Sequence, residues 1–511
     1  MIQSIDYAAI APPLILAVVA GLVLLLDAFL PRTPRTLPTL GLVTLAGVLA
    51  ALATVLTQAV QGSRPRTFCV PADVAGVPPS CSFVVDDLTL VFGAVVLAAA
   101  VVVVLLSWTQ LAEGGIPAGE WYFLLLCTLT GAVTLPASRD LIMLVVALEL
   151  VSLPVFALTA LKRYDARGSE AALKLFLVSV ISTAVMLFGV SLLYGLTGSV
   201  HLDRIAARLS GPPTAAQGAE ALAGLPAALP AGVPSGVLTV AVVLVLAGFA
   251  FKVAAVPFHF WAGDVYQGAP VPVAALLSVI SKAAGFAGLI VVLTIALAGQ
   301  ARLWAPIVAV LAALTMTVGN LLALRQRHAV RLLAWSSVAQ SGYILAPLGV
   351  AGKSAAPASI AYLAIYAAMN AGAFAVVMLV SRTSQRNELD DYRGLAFRSP
   401  APALALAFFL ICLAGLPPGL AGLFAKIVVF REIVHGGVGW LAVVMAVNTV
   451  IGLYYYIAWT ARLFTPAPAL AAVPVPGRRL PARPVTIAVA VALLISLAFS
   501  VAPQLVLSAV G

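Results

Sequence analysis

Lysine, rather than arginine, is the basic residue that enters the apolar segments of this sequence. Four of its six lysines fall within long apolar runs: Lys174, Lys252, Lys282 and Lys426. Only one of the 22 arginines does so, and it lies near the end of a run. A charge inside a bilayer costs on the order of 3 kcal/mol even on lenient insertion scales. Because burial can bring the pKa of a lysine from about 10.4 towards neutrality while an arginine stays protonated, this bias predicts lysines that release and regain protons.

One acidic residue is the counterpart of these lysines. Glu149 lies in the middle of the run LIMLVVALELVSLPVFAL. Burial favours the protonated carboxyl and a nearby ammonium favours the carboxylate, so a pair whose separation changes can move a proton. The alternative is a static buried ion pair that only fixes helix packing. It applies to Glu149 with Lys252, and more strongly to Lys174, which lies closer to the end of its run.

One apolar segment, residues 247–270, combines a lysine with helix-breaking chemistry in AGFAFKVAAVPFHFWAGDVYQGAP. Pro257 and His259 follow Lys252 by five and seven residues. Proline in a helix interior removes a hydrogen bond and costs about 3 kcal/mol, so we expect a broken membrane helix here. Lys252 and His259 would share a face if the helix were continuous, and histidine can shuttle protons near neutral pH. The alternative for His259 is a structural hydrogen bond to a freed backbone carbonyl.

A second interrupted segment is GLPPGLAGLFAKIVVF, residues 415–430. Here Pro417 and Pro418 precede Lys426, which reverses the order of proline and lysine in the first segment. Two broken helices with unwound backbone around a hydrated cavity are typical of transporters built from inverted repeats. Lys282 lies between the two breaks, in LLSVISKAAGF, where it could pass protons from one half of the chain to the other.

The composition indicates which elements must position these residues. The 511 residues are 63% apolar and 9% charged, with a mean hydropathy of +1.12, which excludes a water-soluble domain. Continuous runs of about 20 apolar residues match helices that cross about 30 Å of hydrocarbon, and they lack the alternation of a transmembrane β-barrel. No basic residue precedes the first run, which favours a retained helix over a cleaved signal peptide.

We therefore predict an all-α polytopic membrane protein with fourteen transmembrane spans. The predicted spans are residues 9–30, 38–60, 87–111, 120–137, 141–161, 170–195, 236–261, 271–298, 304–324, 333–350, 359–381, 401–434, 438–461 and 485–507. The net charge of +10 is spread over the short loops between them, so we expect a lipid bilayer and no nucleic acid as partner.

The basic residues also predict the orientation in the membrane. With the N-terminus outside, the inside loops hold sixteen basic residues and the outside loops hold seven. The sixteen are Arg32, Arg35, Lys162, Arg163, Arg167, Arg325, Arg327, Arg331, Arg382, Arg386, Arg393, Arg398, Arg462, Arg478, Arg479 and Arg483. The positive-inside rule therefore places both termini outside, on the periplasmic side of a bacterial inner membrane.

The four cysteines serve different purposes. The predicted orientation puts Cys69 and Cys81 in one outside loop, where they are candidates for a disulfide worth about 3 kcal/mol. Cys127 and Cys412 lie within spans, and four scattered cysteines cannot hold an iron–sulfur cluster. The sequence also lacks the glycine patterns of Rossmann and P-loop nucleotide sites. Any redox chemistry therefore belongs to partner proteins.

Five stretches of the sequence resemble one known family. They are VALELVSLPVFAL, FKVAAVPFHFWAGDVYQGAPVPVAALLSVISKAAGF, RLLAWSSVAQSGYIL, YRGLAFRSP and GLPPGLAGLFAKIVVF. All are similar to the antiporter-like membrane subunits of respiratory complex I, and DVYQGAP and YRGL are similar to the subunit N branch of that family. The matches run from about residue 120 to 460, and the fourteen-span layout covers nearly the whole chain.

The resemblance implies a proton-pumping subunit of NADH–quinone oxidoreductase that holds no cofactor of its own. Flavin, iron–sulfur clusters and quinone would belong to partner subunits of the membrane and peripheral arms, which include a second antiporter-like subunit. The titratable residues of the family fall, in span order, on Glu149, Lys174, Lys252, Lys282 and Lys426. The last is a lysine, as in subunit N, where subunit M commonly has a glutamate. Two departures from the family pattern, Ala262–Gly263 and Ala425, lie beside the breaks.

The resemblance also implies a division of the chain. Residues 1–119 would form three N-terminal spans, 120–300 a first antiporter-like repeat, 301–465 a second repeat, and 466–511 a linker with the last span. Two rival hypotheses stay open. A subunit of a multisubunit sodium–proton antiporter would share this fold, and a passive membrane scaffold would use the buried charges only to set helix packing.

Overall fold

The computed structural model describes residues 5–31, 33, 35–70, 80–210, 235–384, 386–466 and 483–510. Three of the arginines used to predict the orientation, Arg32, Arg478 and Arg479, lie outside the described residues. Most of the predicted linker before the last span does so as well. The described part of the chain is mostly helical.

Nineteen α-helices and two short strands make up the regular structure of the described residues. In chain order they are α1 (Ala11–Phe29), α2 (Thr36–Gln61), β1 (Arg66–Cys69), β2 (Cys81–Val84), α3 (Asp87–Ala112), α4 (Ala118–Thr134), α5 (Leu141–Ala160), α6 (Ala166–Thr197), α7 (Leu202–Leu209), α8 (Ser235–Lys252), α9 (Ala262–Gly268), α10 (Val271–Ala296), α11 (Ala301–Ala323), α12 (Ala329–Leu345), α13 (Ala355–Ser381), α14 (Leu395–Arg398), α15 (Pro400–Ala414), α16 (Leu420–His435), α17 (Gly439–Phe464), α18 (Arg483–Val501) and α19 (Gln504–Val510). Single 3-10 turns occupy Leu135–Ala137, Ala298–Gln300, Leu348–Val350 and Leu389–Tyr392.

The predicted fold class is confirmed. Eleven helices of the described chain are long and apolar enough to cross a membrane: α1 to α6, α10, α11, α13, α17 and α18. The three remaining predicted spans correspond to α8 with the unwound residues after it, to α12, and to α15 with α16. Two of these three are broken helices, and the third, α12, carries the polar sequence WSSVAQSGY in its centre. These helices are therefore shorter than the eleven long ones, and at α8 and α15 the breaks are what shorten them.

Two helices form the centre of the bundle. Within their apolar windows, 94% of α10 and 89% of α13 is buried, whereas only 22% of α1 and 33% of α18 is. A helix that is apolar on all sides and buried on all sides belongs to the interior of a large bundle. The helix α10 contains π-helical turns at Leu277–Ser281 and Val292–Ala296, and the first of these ends immediately before Lys282. π-turns of this kind often mark functional sites in helices.

A two-stranded hairpin covers one end of the bundle, which we call the hairpin face. Strands β1 and β2 pair antiparallel, and Cys69 lies opposite Cys81 and is joined to it by a disulfide. The Ser80 hydroxyl donates to the Asp203 carboxylate of α7 at 2.7 Å. Arg139, just before α5, forms an ion pair with Asp86, the N-cap of α3. The loops between helices are thus tied to one another at this face.

The first break separates α8 from α9. Helix α8 ends at Lys252, and residues 253–261 leave the helical path before α9 begins. The carbonyl of Val253 accepts a hydrogen bond from the Ser341 hydroxyl at 2.6 Å, and the N–H of Val256 donates to the Thr315 hydroxyl at 3.0 Å. Side chains of α11 and α12 thereby satisfy backbone groups that would otherwise be unpaired within the bundle. The bond between Val256 and Pro257 is cis.

The second break separates α15 from α16. Gly415 adopts φ +82°, a left-handed conformation that suits glycine at the end of a helix. Pro417 and Pro418 follow in a cis-linked turn, and α16 begins at Leu420. The N–H of Ala421 donates to the Ser500 hydroxyl of α18 at 3.2 Å. As at the first break, a hydroxyl from a neighbouring helix satisfies the freed backbone.

Candidate functional site

Lys252 is the last residue of α8, and its side chain reaches across to α5 and α6. Its Nζ donates to the hydroxyl of Ser152 at 2.5 Å and to that of Ser179 at 3.2 Å. The nearest carboxylate oxygen is Oε1 of Glu149, at 3.6 Å. The ammonium is therefore hydrogen-bonded by two hydroxyls and forms an ion pair with a carboxylate just beyond hydrogen-bond length.

Glu149 has a second contact that competes with Lys252. The hydroxyl of Thr183 on α6 donates to the same Oε1 atom at 2.7 Å. The Glu149 side chain is 26% exposed, whereas that of Lys252 is 8% exposed, so the carboxylate lies nearer to the surface formed by α5 and α6. A carboxylate shared between a hydroxyl and an ammonium can strengthen or weaken its interaction with the ammonium through a small side-chain movement.

Lys282 is enclosed in the centre of the bundle. Its Nζ donates to the backbone carbonyl of Ser337 at 2.5 Å and to the hydroxyl of Ser341 at 2.6 Å. Ser341 in turn donates to the carbonyl of Val253, the residue that follows Lys252. One hydroxyl therefore connects the second lysine with the backbone of the first break. Within the described residues Lys282 has no carboxylate partner.

Lys426 lies on α16 and returns to the end of α15. Its Nζ donates to the carbonyl of Ala414 at 2.5 Å and to that of Leu413 at 3.3 Å. The last carbonyls of a helix are unpaired and carry the negative end of the helix dipole, so they stabilise an ammonium. The ring of Tyr343 lies 5.5 Å from Nζ and adds a cation–π contact.

Lys174 differs from the expectation of a membrane-buried charge. Its side chain is 45% exposed, and its Nζ lies 2.7 Å from Glu170 and 3.1 Å from Asp264 of α9. Asp264 also forms an ion pair with Arg331 of α12 at 3.0 Å. Lys174 is exposed because it lies in the first turns of α6, where side chains of α6 and α9, including Arg167 and Asp264, surround an open cavity of about 180 Å³. These charges lie at the end of the bundle opposite the hairpin face.

The histidine beside this ion cluster adds no charge to it. His328 precedes α12, and it is half-buried. Burial lowers the pKa of the His328 imidazole below its usual value near 6.5, and the guanidinium of Arg331 lowers it further. The imidazole is therefore neutral at neutral pH and adds no charge to the ion pairs of Lys174 and Arg331, beside which Arg167 also lies.

His259 lies within the first break and contacts Trp335. The two ring centroids are 5.7 Å apart, and the buried Nδ1 of His259 has no hydrogen-bond partner among the described residues. Because α8 ends at Lys252, the continuous helical face that would join the two residues does not form. Nearby, a side chain at Gly263 would lie within 2.9 Å of the Trp335 ring, which explains the small residue there.

Comparison with known proteins identifies the family. The family model for the membrane region shared by NADH:quinone oxidoreductases and Mrp antiporters matches residues 138–452. Subunit N 2 of the NADH-quinone oxidoreductase of Streptomyces griseus is 51% identical over 472 residues, which cover 91% of this chain and 84% of that protein. The chain belongs to this family.

Two solved structures extend the comparison. A chain of respiratory complex I from Thermus thermophilus is 32% identical, with a TM-score of 0.75 over 98% of this chain and all of that one. A chain of the Mrp complex of a Dietzia species is similar in fold, with a TM-score of 0.80 over 98% of this chain and 96% of that one, but only 22% identical. The family assignment and the fold therefore agree.

Several side chains that contact the buried lysines are not predicted from the sequence. Ser152 was not identified, although it follows Glu149 by three residues and so lies on the same helix face. Ser341 was missed although it follows Ser337 by four residues. Both spacings were available as a signal. Tyr343 carried none, because an aromatic residue in an apolar run is usually packing.

Proposed function

We propose that this chain is the proton-translocating, subunit N-type component of the membrane arm of an NADH–quinone oxidoreductase. The proposal is supported by the 51% identical relative of that name and by three buried lysines at broken or π-bulged helices. Electron transfer through flavin, iron–sulfur clusters and quinone takes place in partner subunits. In this proposal the chain contributes proton movement and leaves electron transfer to those subunits.

The observation that carries the proposal is the position of the Lys252 ammonium between two serines and Glu149, 3.6 Å from the carboxylate. When Glu149 moves away, the ammonium loses its only acidic neighbour within the described residues and releases its proton. The proton passes to Lys282 beside the first break and then towards Lys426 and the outside. Reduction of quinone in a distant subunit supplies the displacement of Glu149, whose carboxylate is the more exposed partner of the pair.

Two further residues belong to the proposed path at its inner part. Lys174 lies in the exposed ion cluster, where water can deliver protons to the bundle. His259 lies in the unwound segment after Lys252, with a buried nitrogen that has no described partner and can accept a proton. Both residues would act upstream of the three buried lysines.

The orientation we propose has both termini and the hairpin face outside a bacterial inner membrane. The proposal is supported by the sixteen basic residues on the opposite loops against seven. An outside location also suits the disulfide between Cys69 and Cys81, since disulfides persist in oxidising compartments. Other membrane-arm subunits, including a second antiporter-like subunit, would flank the chain in the lipid bilayer.

The experiment that tests this function measures protons translocated per quinone reduced by the assembled complex in sealed vesicles. We expect Lys252→Met and Glu149→Gln each to lower this ratio. Lys353→Met and Glu120→Gln are matched controls, because both residues are exposed and lie outside the site. Unchanged ratios in both site variants of a fully assembled complex would refute the proposal.

Two rival functions predict different results. A subunit of a sodium–proton antiporter would show sodium-dependent exchange and would copurify with antiporter subunits rather than with an NADH dehydrogenase. A passive scaffold would lose assembly when Lys252 is replaced, and whatever complex formed would pump normally. The identity to subunit N favours the oxidoreductase, since the likeness to the Mrp chain concerns the fold alone.

A further inference from the structure

A second group of polar side chains is buried between α12, α13 and α17. The hydroxyl of Tyr362 donates to Oε1 of Gln340 at 2.6 Å, and Nε2 of Gln340 donates to the hydroxyl of Tyr456 at 3.2 Å. Tyr456 and Ser336 share a further hydrogen bond of 2.5 Å. All four side chains are buried. We call these four residues the Gln340 cluster.

The cluster lies between the last two lysines of the proposed path. On one side, Tyr366 follows Tyr362 by one helical turn; its ring lies 5.8 Å from Nζ of Lys282, and its hydroxyl donates to Ser337 at 2.9 Å. The next residue after Gln340 is Ser341, which binds the Lys282 ammonium directly. The cluster is thus adjacent to the environment of Lys282.

On the other side, the cluster contacts the environment of Lys426. The ring of Tyr343 stacks on that of Tyr362, with centroids 6.0 Å apart and planes 16° from parallel. The opposite contact of Tyr343 is with the Lys426 ammonium, 5.5 Å from its ring centroid. Tyr362 therefore lies one turn from a ring that contacts Lys282 and is stacked on a ring that contacts Lys426.

The chemistry of this stretch is that of neutral hydroxyls. Among its described hydrogen bonds and ion pairs there is no carboxylate and no imidazole. A hydroxyl relays a proton by accepting one and donating another, so that it ends unchanged. An amide has no such exchange in its stable form, because its nitrogen is not basic. Gln340 can therefore hold the two phenols in place but does not itself carry the proton.

We infer that the hydroxyls of Tyr362 and Tyr456 line the proton route between Lys282 and Lys426 and that Gln340 is the positioning residue that fixes both phenols. This inference rests on the proposed proton-translocating function. Tyr366 and Tyr343 contact the two ammonium groups through their rings, and Gln340 does not carry a proton, so water beside the hydroxyls completes the route. Transfer begins with the Lys282 ammonium releasing one proton and ends with a neutral Lys426 gaining one, with no net change in any hydroxyl or water between them. A tyrosine run within a span, such as Tyr454–Tyr456, usually packs at an interface, so the sequence pattern alone does not predict this role.

The alternative is that the cluster only sets helix packing, as polar contacts between membrane helices often do. The two accounts predict different effects of removing a single phenol oxygen. Removal of one phenol oxygen leaves the ring and its packing in place, so packing alone predicts normal translocation from any complex that assembles. A relay predicts slower translocation from a complex of normal composition.

The test uses the full complex in sealed vesicles with Tyr362→Phe, Tyr456→Phe and Gln340→Leu. We expect the rate of proton translocation to fall about fivefold, the rate equivalent of one lost hydrogen bond. We also expect the solvent deuterium isotope effect on that rate to rise, because proton transfer through this stretch becomes limiting. Tyr454→Phe is the matched control, since Tyr454 lies on the same helix with its side chain largely exposed.

Gln340→Glu provides the conservative variant, since it retains the acceptor for Tyr362 although it loses the donor to Tyr456, and we expect it to translocate faster than Gln340→Leu. If Gln340→Leu fails to assemble, the two phenylalanine variants decide, because each removes only an oxygen. Translocation and isotope effects like those of Tyr454→Phe in both would overturn the inference. Lys252→Met, measured in parallel, distinguishes a failure of this inference from a failure of the proposed function. If it lowers translocation while the cluster variants do not, only the inference about the cluster fails.

Discussion

The two breaks of this molecule stabilise a lysine in opposite ways. At the first, Lys252 ends α8 and binds side chains of two other helices, including the carboxylate of Glu149 at 3.6 Å. At the second, Lys426 belongs to the half-helix after the break and binds two backbone carbonyls at the end of α15. The first ammonium therefore depends on a titratable and movable partner, whereas the second depends on fixed dipoles.

This difference suggests that the two breaks have different functions. The charge of Lys252 responds to Glu149 and so to events outside this chain, while backbone carbonyls change neither charge nor position without unfolding the helix end. The first break is thus suited to receive a signal and the second to hold a proton at a constant affinity. The presence of a lysine and a proline at each break does not by itself distinguish these two roles.

The largest effect should come from Lys426→Met. The variant removes the proton carrier of the second break and leaves the carbonyls of Leu413 and Ala414 without their ammonium. We expect translocation to fall on the order of 100-fold, the usual value of a positioned acid–base group. Proton uptake by vesicles containing the assembled complex measures it, with Lys353→Met as control. A loss smaller than that of Glu149→Gln would reverse the order of the two breaks.

The hydroxyls that cap the breaks should affect stability rather than charge. Thr315→Val leaves the N–H of Val256 unpaired, and Ser500→Ala does the same to Ala421. We expect each to lower the free energy of unfolding by about 1–3 kcal/mol, the cost of an unsatisfied buried donor. Thermal disassembly of the purified complex measures it. Thr294→Val is the control, since that hydroxyl bonds only its own helix, and an equal loss there would show that the breaks are not special.

Ser152→Ala tests a contact that distinguishes the two breaks. Among the described residues a hydroxyl binds the ammonium at the first break, and no equivalent hydroxyl binds the ammonium at the second. The variant removes the 2.5 Å hydrogen bond to Lys252 and leaves the ammonium to Ser179 and Glu149. We expect the translocation rate to be about fivefold lower, which is the change that corresponds to the loss of one hydrogen bond. Steady-state pumping of the assembled complex checks this. A rate equal to wild type would mean that the serine does not set the position of the ammonium.

Lys174→Met should have the smallest effect. Its ammonium is half-exposed, so water can replace it as a proton donor, and ion pairs exposed to solvent contribute little to stability. We expect about a twofold decrease in translocation and little change in thermal stability. A loss as large as that of Lys426→Met would assign Lys174 to the buried part of the path.

The sequence predicted the titratable residues and the breaks but not which side chains contact those residues. Lysine bias and proline placement depend on the local sequence, so Lys252, Lys282 and Lys426 could be identified from it. Partners such as Ser341 and Tyr343 depend on which helices pack together, and helix periodicity does not give that. The exposure of Lys174 also follows from packing, since α9 and α12 bring their own charges to that end of α6.

Two tyrosines of α17 also show that side-chain contacts depend on which helices pack together. Tyr454 and Tyr456 are two residues apart in one apolar helix, and their sequence context is nearly the same. Tyr454 faces outward, whereas Tyr456 is buried and hydrogen-bonded to Ser336 and Gln340. Only the partners on α12 separate a surface aromatic residue from a member of a polar network.

The most direct test of the central claim is Lys252→Arg in the assembled complex, with protons translocated per NADH oxidised as the measurement. Arginine keeps the positive charge and can pair with Glu149, but it does not release its proton. A lysine that titrates predicts a large drop in this ratio while the complex still assembles. A ratio equal to that of the wild type would mean that only the charge at residue 252 matters, and the account would fail.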